Sequence, residues 1–504
     1  MLPKKREAPH YYNAGGIIMD RAKVIFGNEM SDKAYRKAVA NKNKFIRKYG
    51  DDSAKNYHLT AVPAPAIGDI LGTEQLLISD HKDVEFDRKS LIIGNIRMGF
   101  GHYRISMAIA SAAKAMGYEP YWLDLHSFKS TTCGKIIAEQ NELYSLGSRL
   151  SQSIPLFNKL VWEPINSEGF RKLTYNCSDQ KVAELMAPVL HDLPKDIPYV
   201  ATHVWPAQAA VHAGLTSVVN AIPDNWPMAL HLAEGSIHTV QTPSAYLGYR
   251  ALRGMDKKRQ LKPMPKTSIA YTGHYVDHEL VSNIEADCAR RKARSHGGTK
   301  RWLMSVGGAG AQKEIFISII RKLLPDIAKG NAALFINVGD HRNVWEALIN
   351  EIPQMRGYLT EHFDDFAETQ AFAEAALDNE VVGIHAFCHS DIFAAVYSTN
   401  LLMRCSDVLI TKPSELSFYP IPKLMIKRVG GHEAWGAIRA AELGDGTYEV
   451  TTPAETCAMI DLIQNHGDII DMMCDNILTA HKAGIYKGAY RVVKLATHKM
   501  RKRG

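Results

Sequence analysis

The chain has 504 residues, 46% of them hydrophobic and 22% charged, with a net charge of +7. That length exceeds one ordinary core and points to two or three domains, while the lack of an eighteen-residue apolar run argues against a membrane-spanning helix. The seven cysteines are an odd, scattered set with no C-x-x-C, which argues against a disulfide framework or zinc ribbon and for a reducing, cytoplasmic setting.

The opening stretch MLPKKREAPHYYNAGG is basic but has no apolar run behind it, so no secretory leader is expected. The segment SDKAYRKAVANKNKFIRKYG predicts a basic helix, with Ser31 as N-cap, Gly50 as stop, and Tyr35, Val39, Ile46 and Tyr49 on one stripe. Residues 1–87 as a whole read as an N-terminal extension. At Leu91 an apolar run breaks into glycines, LIIGNIRMGFGHYRIS, which predicts a strand, a tight turn and a helix start. Further short apolar strands follow in IPYVATHVW, TSVVNAIPDNW and SIHTVQTPSAY. The polar, basic stretch ARRKARSHGGTKR (289–301) reads as a linker. The alternation then restarts with WLMSVGGAGAQ and continues through AALFINVGD, EVVGIHAF and SDVLITKP. Strands alternating with helices imply parallel sheets covered on both faces. The expected organisation is therefore an α/β domain over 88–288, a linker over 289–301, a second α/β domain over 302–480, and a basic helix over 481–504. From Lys482 onward there are eight Lys/Arg and no acid, so the rest of the chain is close to neutral. The two basic helices suit either plain solvation or an anionic membrane surface; no nucleic-acid-binding motif accompanies them.

The first glycine turn is not a Walker loop, because Phe100 stands where lysine is required. A dinucleotide fingerprint would need a third glycine where Arg104 stands, although Asp124 ends the next strand and would suit a ribose. An NAD-dependent dehydrogenase is thus an open alternative. The turn carries His102 at a helix start, where Gly99 and Gly101 admit close backbone approach and free N–H groups face a ligand. A histidine there can take a proton from a hydroxyl nucleophile.

Taken in order, GFGHYRIS, ATHVWPAQAA, IPDNW, YTGHYVD, MSVGGAGAQ, VVGIHAF, CSDVLITKPSELS and VGGHEAWGAIRAAELGDG resemble the motifs of GT-B glycosyltransferases. The closer resemblance is to the branch containing the diacylglycerol galactosyl- and glucosyltransferases and the peptidoglycan N-acetylglucosaminyltransferase. The likeness covers about residues 88–450. It implies two Rossmann-like domains facing a cleft, a nucleotide-sugar donor (typically UDP-linked), a lipid or other hydroxyl acceptor, inverting displacement, and no metal or further cofactor. By the same resemblance His102 is the general base and Asp224 its assistant. Gly307, Gly308, Gly310, Ile384, Lys412, Pro413, Ser414, Glu415, Gly431, His432 and Glu433 hold the donor. Gly99, Gly101, His203, Trp226 and His231 lie on the acceptor side. The family's Lys-Pro-Gly-Gly reads Lys412-Pro413-Ser414-Glu415 here, and His432 replaces the usual glutamine. A GT-B-fold protein that binds without catalysis is the second reading.

Overall fold

The computed structural model describes residues 11–12, 18–97, 99–153, 169–306 and 312–501. Two parallel sheets form its frame. The first contains β1 (His58–Pro63), β2 (Glu74–Ser79), β3 (Ser90–Asn95), β4 (Glu119–Asp124), β5 (Tyr199–Ala201), β6 (Val218–Ala221), β7 (Ile237–Val240) and β8 (Ile269–Tyr271). Their order is β8-β7-β6-β5-β3-β4-β2-β1, parallel throughout except for the β1–β2 hairpin. The second contains β9 (Lys300–Ser305), β10 (Ala332–Asn337), β11 (Leu359–Phe363), β12 (Gly383–Cys388), β13 (Val408–Thr411) and β14 (Lys423–Met425). They are ordered β11-β12-β10-β9-β13-β14 and all parallel. The protein is thus an α/β chain of two Rossmann-like units.

Helix α1 (Asp32–Tyr49) starts and stops where its local chemistry dictates: Ser31 Oγ accepts the Ala34 N–H, and the Gly50 N–H closes on Ile46 O at 2.8 Å. Its deepest side chains are Ala38 and Phe45, with Ile46 and Tyr49 beside them, so the buried stripe is rotated from the expected one. Helix α2 (Gly101–Ala115) follows the first glycine turn, and α3 (Leu173–Ala183) packs along α1. In β3, Ile92 faces one core with Phe45, while Leu91 and Ile93 face the other, as strand alternation requires.

Three boundaries differ from the sequence reading. The N-terminal 87 residues supply β1 and β2, so they belong in part to the first sheet. The expected linker 289–301 is instead the end of α4 (Ile284–Ser295), a glycine turn and the start of β9. Two of its charges are buried and bonded internally. The fully buried Arg291 guanidinium donates to Ser406 O (3.0 Å), Pro420 O (3.1 Å) and Met403 O (2.9 Å), and Lys300 Nζ donates to Ile463 O and Gln464 O. Val276, Leu280 and Ile284 join the second unit's core, so the chain crosses over soon after β8 rather than at residue 288.

The chain then crosses back. After α5 (Ile392–Cys405), α6 (Ala434–Leu443) and α7 (Gly467–Lys482), helix α8 (Gly488–Arg501) returns to the first sheet. Its Ala489, Val492, Val493 and Ala496 pack with Leu91, Ile93, Val200 and Val219. The two basic helices therefore lie on opposite faces of the first sheet and form no common surface. No described helix is long and apolar enough to cross a membrane.

One buried carboxyl in α3 predicts a pH effect. Burial pushes Asp179 up to about 8, against a small opposing hydrogen bond from Trp205, and its Oδ2 has no partner. The folded chain keeps a proton that the unfolded chain releases near pH 3.8. The associated stability is complete below that pH and is lost as pH rises towards 8. Asp179→Asn is expected to raise the melting temperature more at about pH 8.5 than at about pH 5, read by thermal scans at both.

Candidate functional site

Ligands of open parallel sheets bind beyond the carboxyl ends of the strands, and here those ends meet. After β3, Arg97 pairs with Asp340 after β10 at 2.7 Å, and Phe100 stacks on His341 with ring centroids 5.6 Å apart. After β6, Asn225 Nδ2 donates to Trp435 O at 3.3 Å, and the Trp226 and Trp435 rings lie 5.8 Å apart. The junction between these joined loops is the candidate cleft.

Within it, His102 sits in the first turn of α2, after Gly99 (φ +72°). Its Nδ1 stands 2.7 Å from Thr202 O. A carbonyl only accepts, so Nδ1 carries the proton and Nε2 keeps its lone pair. Burial pushes the His102 pKa below its ordinary value, against the Thr202 bond and the carboxylates of Asp224 and Glu415. The ring is thus neutral near pH 7 and available as an acceptor. His203 stands edge-on to it at 4.8 Å, but its Nδ1 accepts the Trp205 N–H and caps a helix.

Asp224 follows β6. Burial pushes its carboxyl up, yet the hydrogen bond and charge of His231, with His432 and His102, hold it well below the usual carboxylate range. His231 Nε2 lies 3.2 Å from Asp224 Oδ2, and its Nδ1 lies 2.6 Å from the Tyr249 hydroxyl. Two expectations change here. His102 is oriented by the Thr202 carbonyl, so Asp224 acts on it only through space. His231 has both ring nitrogens engaged and is buried, so it positions Asp224 rather than meeting an acceptor. Trp226 lies at the cleft rim, with the Arg171 guanidinium 4.7 Å from its ring centre.

On the second unit, Lys412 follows β13 and pairs closely with Glu433. Glu433 Oε2 also accepts the N–H groups of Val429 (2.7 Å) and Gly430 (3.1 Å). The short turn Gly431–Glu433 leads into α6, and His432 Nδ1 is buried without a hydrogen-bond partner. Pro413 and Ser414 form the loop between, with Ser414 N–H bonded to Lys412 O at 2.7 Å. Glu415 does not face this loop. Its Oε1 lies 3.4 Å from Arg104 Nε, and a Cβ on Gly101 would stand 3.0 Å from Oε2. The carboxylate therefore crosses the cleft and rests on the α2 N-terminus, where negative charge is favoured.

Ile384 is not a ligand contact. It lies inside β12, between β10 and β11, with no exposed surface, and its backbone belongs to the sheet ladder. Gly307, Gly308 and Gly310 lie outside the described residues. Asp124, the residue suited to a dinucleotide ribose, is buried and already accepts the Tyr103 hydroxyl at 2.5 Å and the His126 N–H at 2.8 Å. Among the described residues no three His, Cys, Asp or Glu side chains converge as metal ligands.

Arg104 was not anticipated from the sequence as the residue that ties the two units together. Its guanidinium, 2% exposed, leaves the first unit and donates to Val396 O (3.2 Å), Asn400 Oδ1 (2.5 Å) and Thr399 Oγ1 (3.4 Å) on α5. The available signal was an arginine inside the small-residue run of α2. Tyr249 and Thr202 carried no local signal.

Residues 24–251 match a family described as a domain of unknown function (DUF6937), and residues 264–497 match a second domain of unknown function (DUF6938). No curated protein matches the chain. Among solved structures, the chain is similar to an α,α-trehalose 6-phosphate synthase from Burkholderia multivorans (11% identity, 82% of this chain, 99% of that chain, TM-score 0.43). It is also similar to a UDP-GlcNAc 2-epimerase from Neisseria meningitidis bound to UDP-GlcNAc (12% identity, 82% and 100% covered, TM-score 0.45). A third is an Anabaena protein in complex with UDP and glucose (12% identity, 82% and 98% covered, TM-score 0.38).

Proposed function

We propose that the cleft transfers a glycosyl group from a nucleotide sugar, UDP-linked, to a hydroxyl acceptor, with a lipid alcohol as the acceptor class to test first. The observation that carries this reading is the fixed tautomer of His102: Nδ1 is held by the Thr202 carbonyl, so Nε2 is the free acceptor. In the reaction the acceptor O–H gives its proton to His102 Nε2 while its oxygen attacks the anomeric carbon. The bond from that carbon to the diphosphate breaks with inversion, and the diphosphate leaves with the electron pair. Such a leaving group needs fixed donors as its charge grows. Lys412 and the N–H groups of Val429 and Gly430, which now satisfy the Glu433 carboxylate, are suited to an anion. The turn of Glu415 towards Arg104 and Gly101 keeps its charge off that loop.

Thermal unfolding with UDP, GDP, ADP and NAD, each at millimolar concentration, tests the donor assignment. A ligand that binds only the folded chain stabilises it by roughly 2.7 kcal/mol at a hundredfold excess over its dissociation constant. A rise with UDP and none with NAD is expected. A rise with NAD alone would overturn the reading, and no rise with any nucleotide would favour a binding module without catalysis.

A further inference from the structure

Away from the cleft, α1 carries a charge pattern that packing does not require. Lys33, Lys37, Lys44 and Arg47 lie along a groove of about 830 Å³ whose other wall includes Tyr175 and Ser178 of α3. No carboxylate is among the described residues that line it. Two neighbouring cations of α1 are neutralised, Lys42 by Glu184 at 2.6 Å and Lys48 by Glu139 at 2.8 Å, whereas Arg36, off the groove, has no ion pair among the described residues. The four groove cations form no ion pair among the described residues. Lys44 is near enough to Glu139 to lower its pKa, but that carboxylate is already bonded to Lys48.

Like charges one turn apart, as at Lys33 and Lys37, oppose helix formation. A stripe that retains them with no counter-charge among the described residues is suited to a ligand that supplies it. The near members of the two pairs, Lys37 and Lys44, are separated by about 10 Å along the axis at 1.5 Å per residue. The volume falls in the range of small-molecule pockets. We propose that this groove binds a small polyanion bearing two phosphate clusters about 10 Å apart, at a site separate from the interdomain cleft.

Titration calorimetry on the full chain with a short linear inorganic polyphosphate tests this, with orthophosphate and phosphatidylglycerol vesicles as parallel probes. Saturable one-to-one binding of polyphosphate is expected, weakened at least tenfold by Lys37→Gln with Lys44→Gln. Ala40→Trp, which fills the groove from the exposed face of α1 without changing its charge, is expected to weaken it as much. Lys89→Gln with Lys129→Gln, at exposed lysines elsewhere, should leave it unchanged. Thermal scans check that each variant folds. Equal loss in the control pair, indifference to Ala40→Trp, binding to vesicles alone, or no saturable binding would each overturn the proposal.

Discussion

Alanine at position 102 is expected to reduce glycosyl transfer by about 10²- to 10⁴-fold, the usual contribution of a positioned general base, while UDP still raises the melting temperature. The separation follows from geometry. His102 stands on α2 of the first unit, bonded to Thr202 O, whereas Lys412 and Glu433 belong to the second. A purely structural histidine would instead lose folding stability and nucleotide binding together. The pH profile gives a second, independent readout. Because burial lowers the His102 pKa from 6.5, the acid limb of kcat/KM should fall below pH 6.5 and the rate should be level at neutral pH. His102→Gln should remove that limb as well as the rate.

The largest stability effect is expected at Arg104. Its guanidinium ties α2 to α5 through Val396 O, Asn400 Oδ1 and Thr399 Oγ1, and meets Glu415 at 3.4 Å. Arg104→Ala would leave those acceptors and the Glu415 carboxylate without their cation in a water-poor junction. Removal of one partner from such a buried pair costs about 3–5 kcal/mol. The urea midpoint should fall without a comparable change in far-ultraviolet dichroism of the native baseline. Arg104→Lys should recover little, because one ammonium cannot reproduce a fork that meets three acceptors and a carboxylate. A midpoint within error of the parent would show that the junction does not carry the load assigned to it.

The limits of the sequence follow a physical division between local and distant interactions. Helix α1 was legible at both ends because the Ser31 cap and the Gly50 stop act within four residues. The alternation of apolar strands and helices gave the two α/β units, since each strand is buried by its own neighbours. The linker was misread because composition cannot reveal that Arg291 finds three backbone carbonyls. Ile384 was misplaced because motif order does not distinguish the amino end of a strand, where it lies, from the carboxyl end. Glu415 was read as a donor-loop residue, yet its partner lies 311 positions away in Arg104. Likewise, His102, Asp224 and His231 were picked out singly, but which of them touch is decided by where β5 and β6 end.

The most direct test of the central claim is nucleotide release from UDP-glucose, UDP-galactose and UDP-N-acetylglucosamine, followed with the parent chain and His102→Gln. A panel of hydroxyl acceptors, including diacylglycerol in detergent micelles, would be present, with products identified by mass spectrometry. UDP release matched by a glycosylated product is expected for at least one donor, with its loss in His102→Gln and UDP binding retained. A folded, UDP-binding parent that releases nothing, or a variant that turns over at the parent's rate, would contradict it.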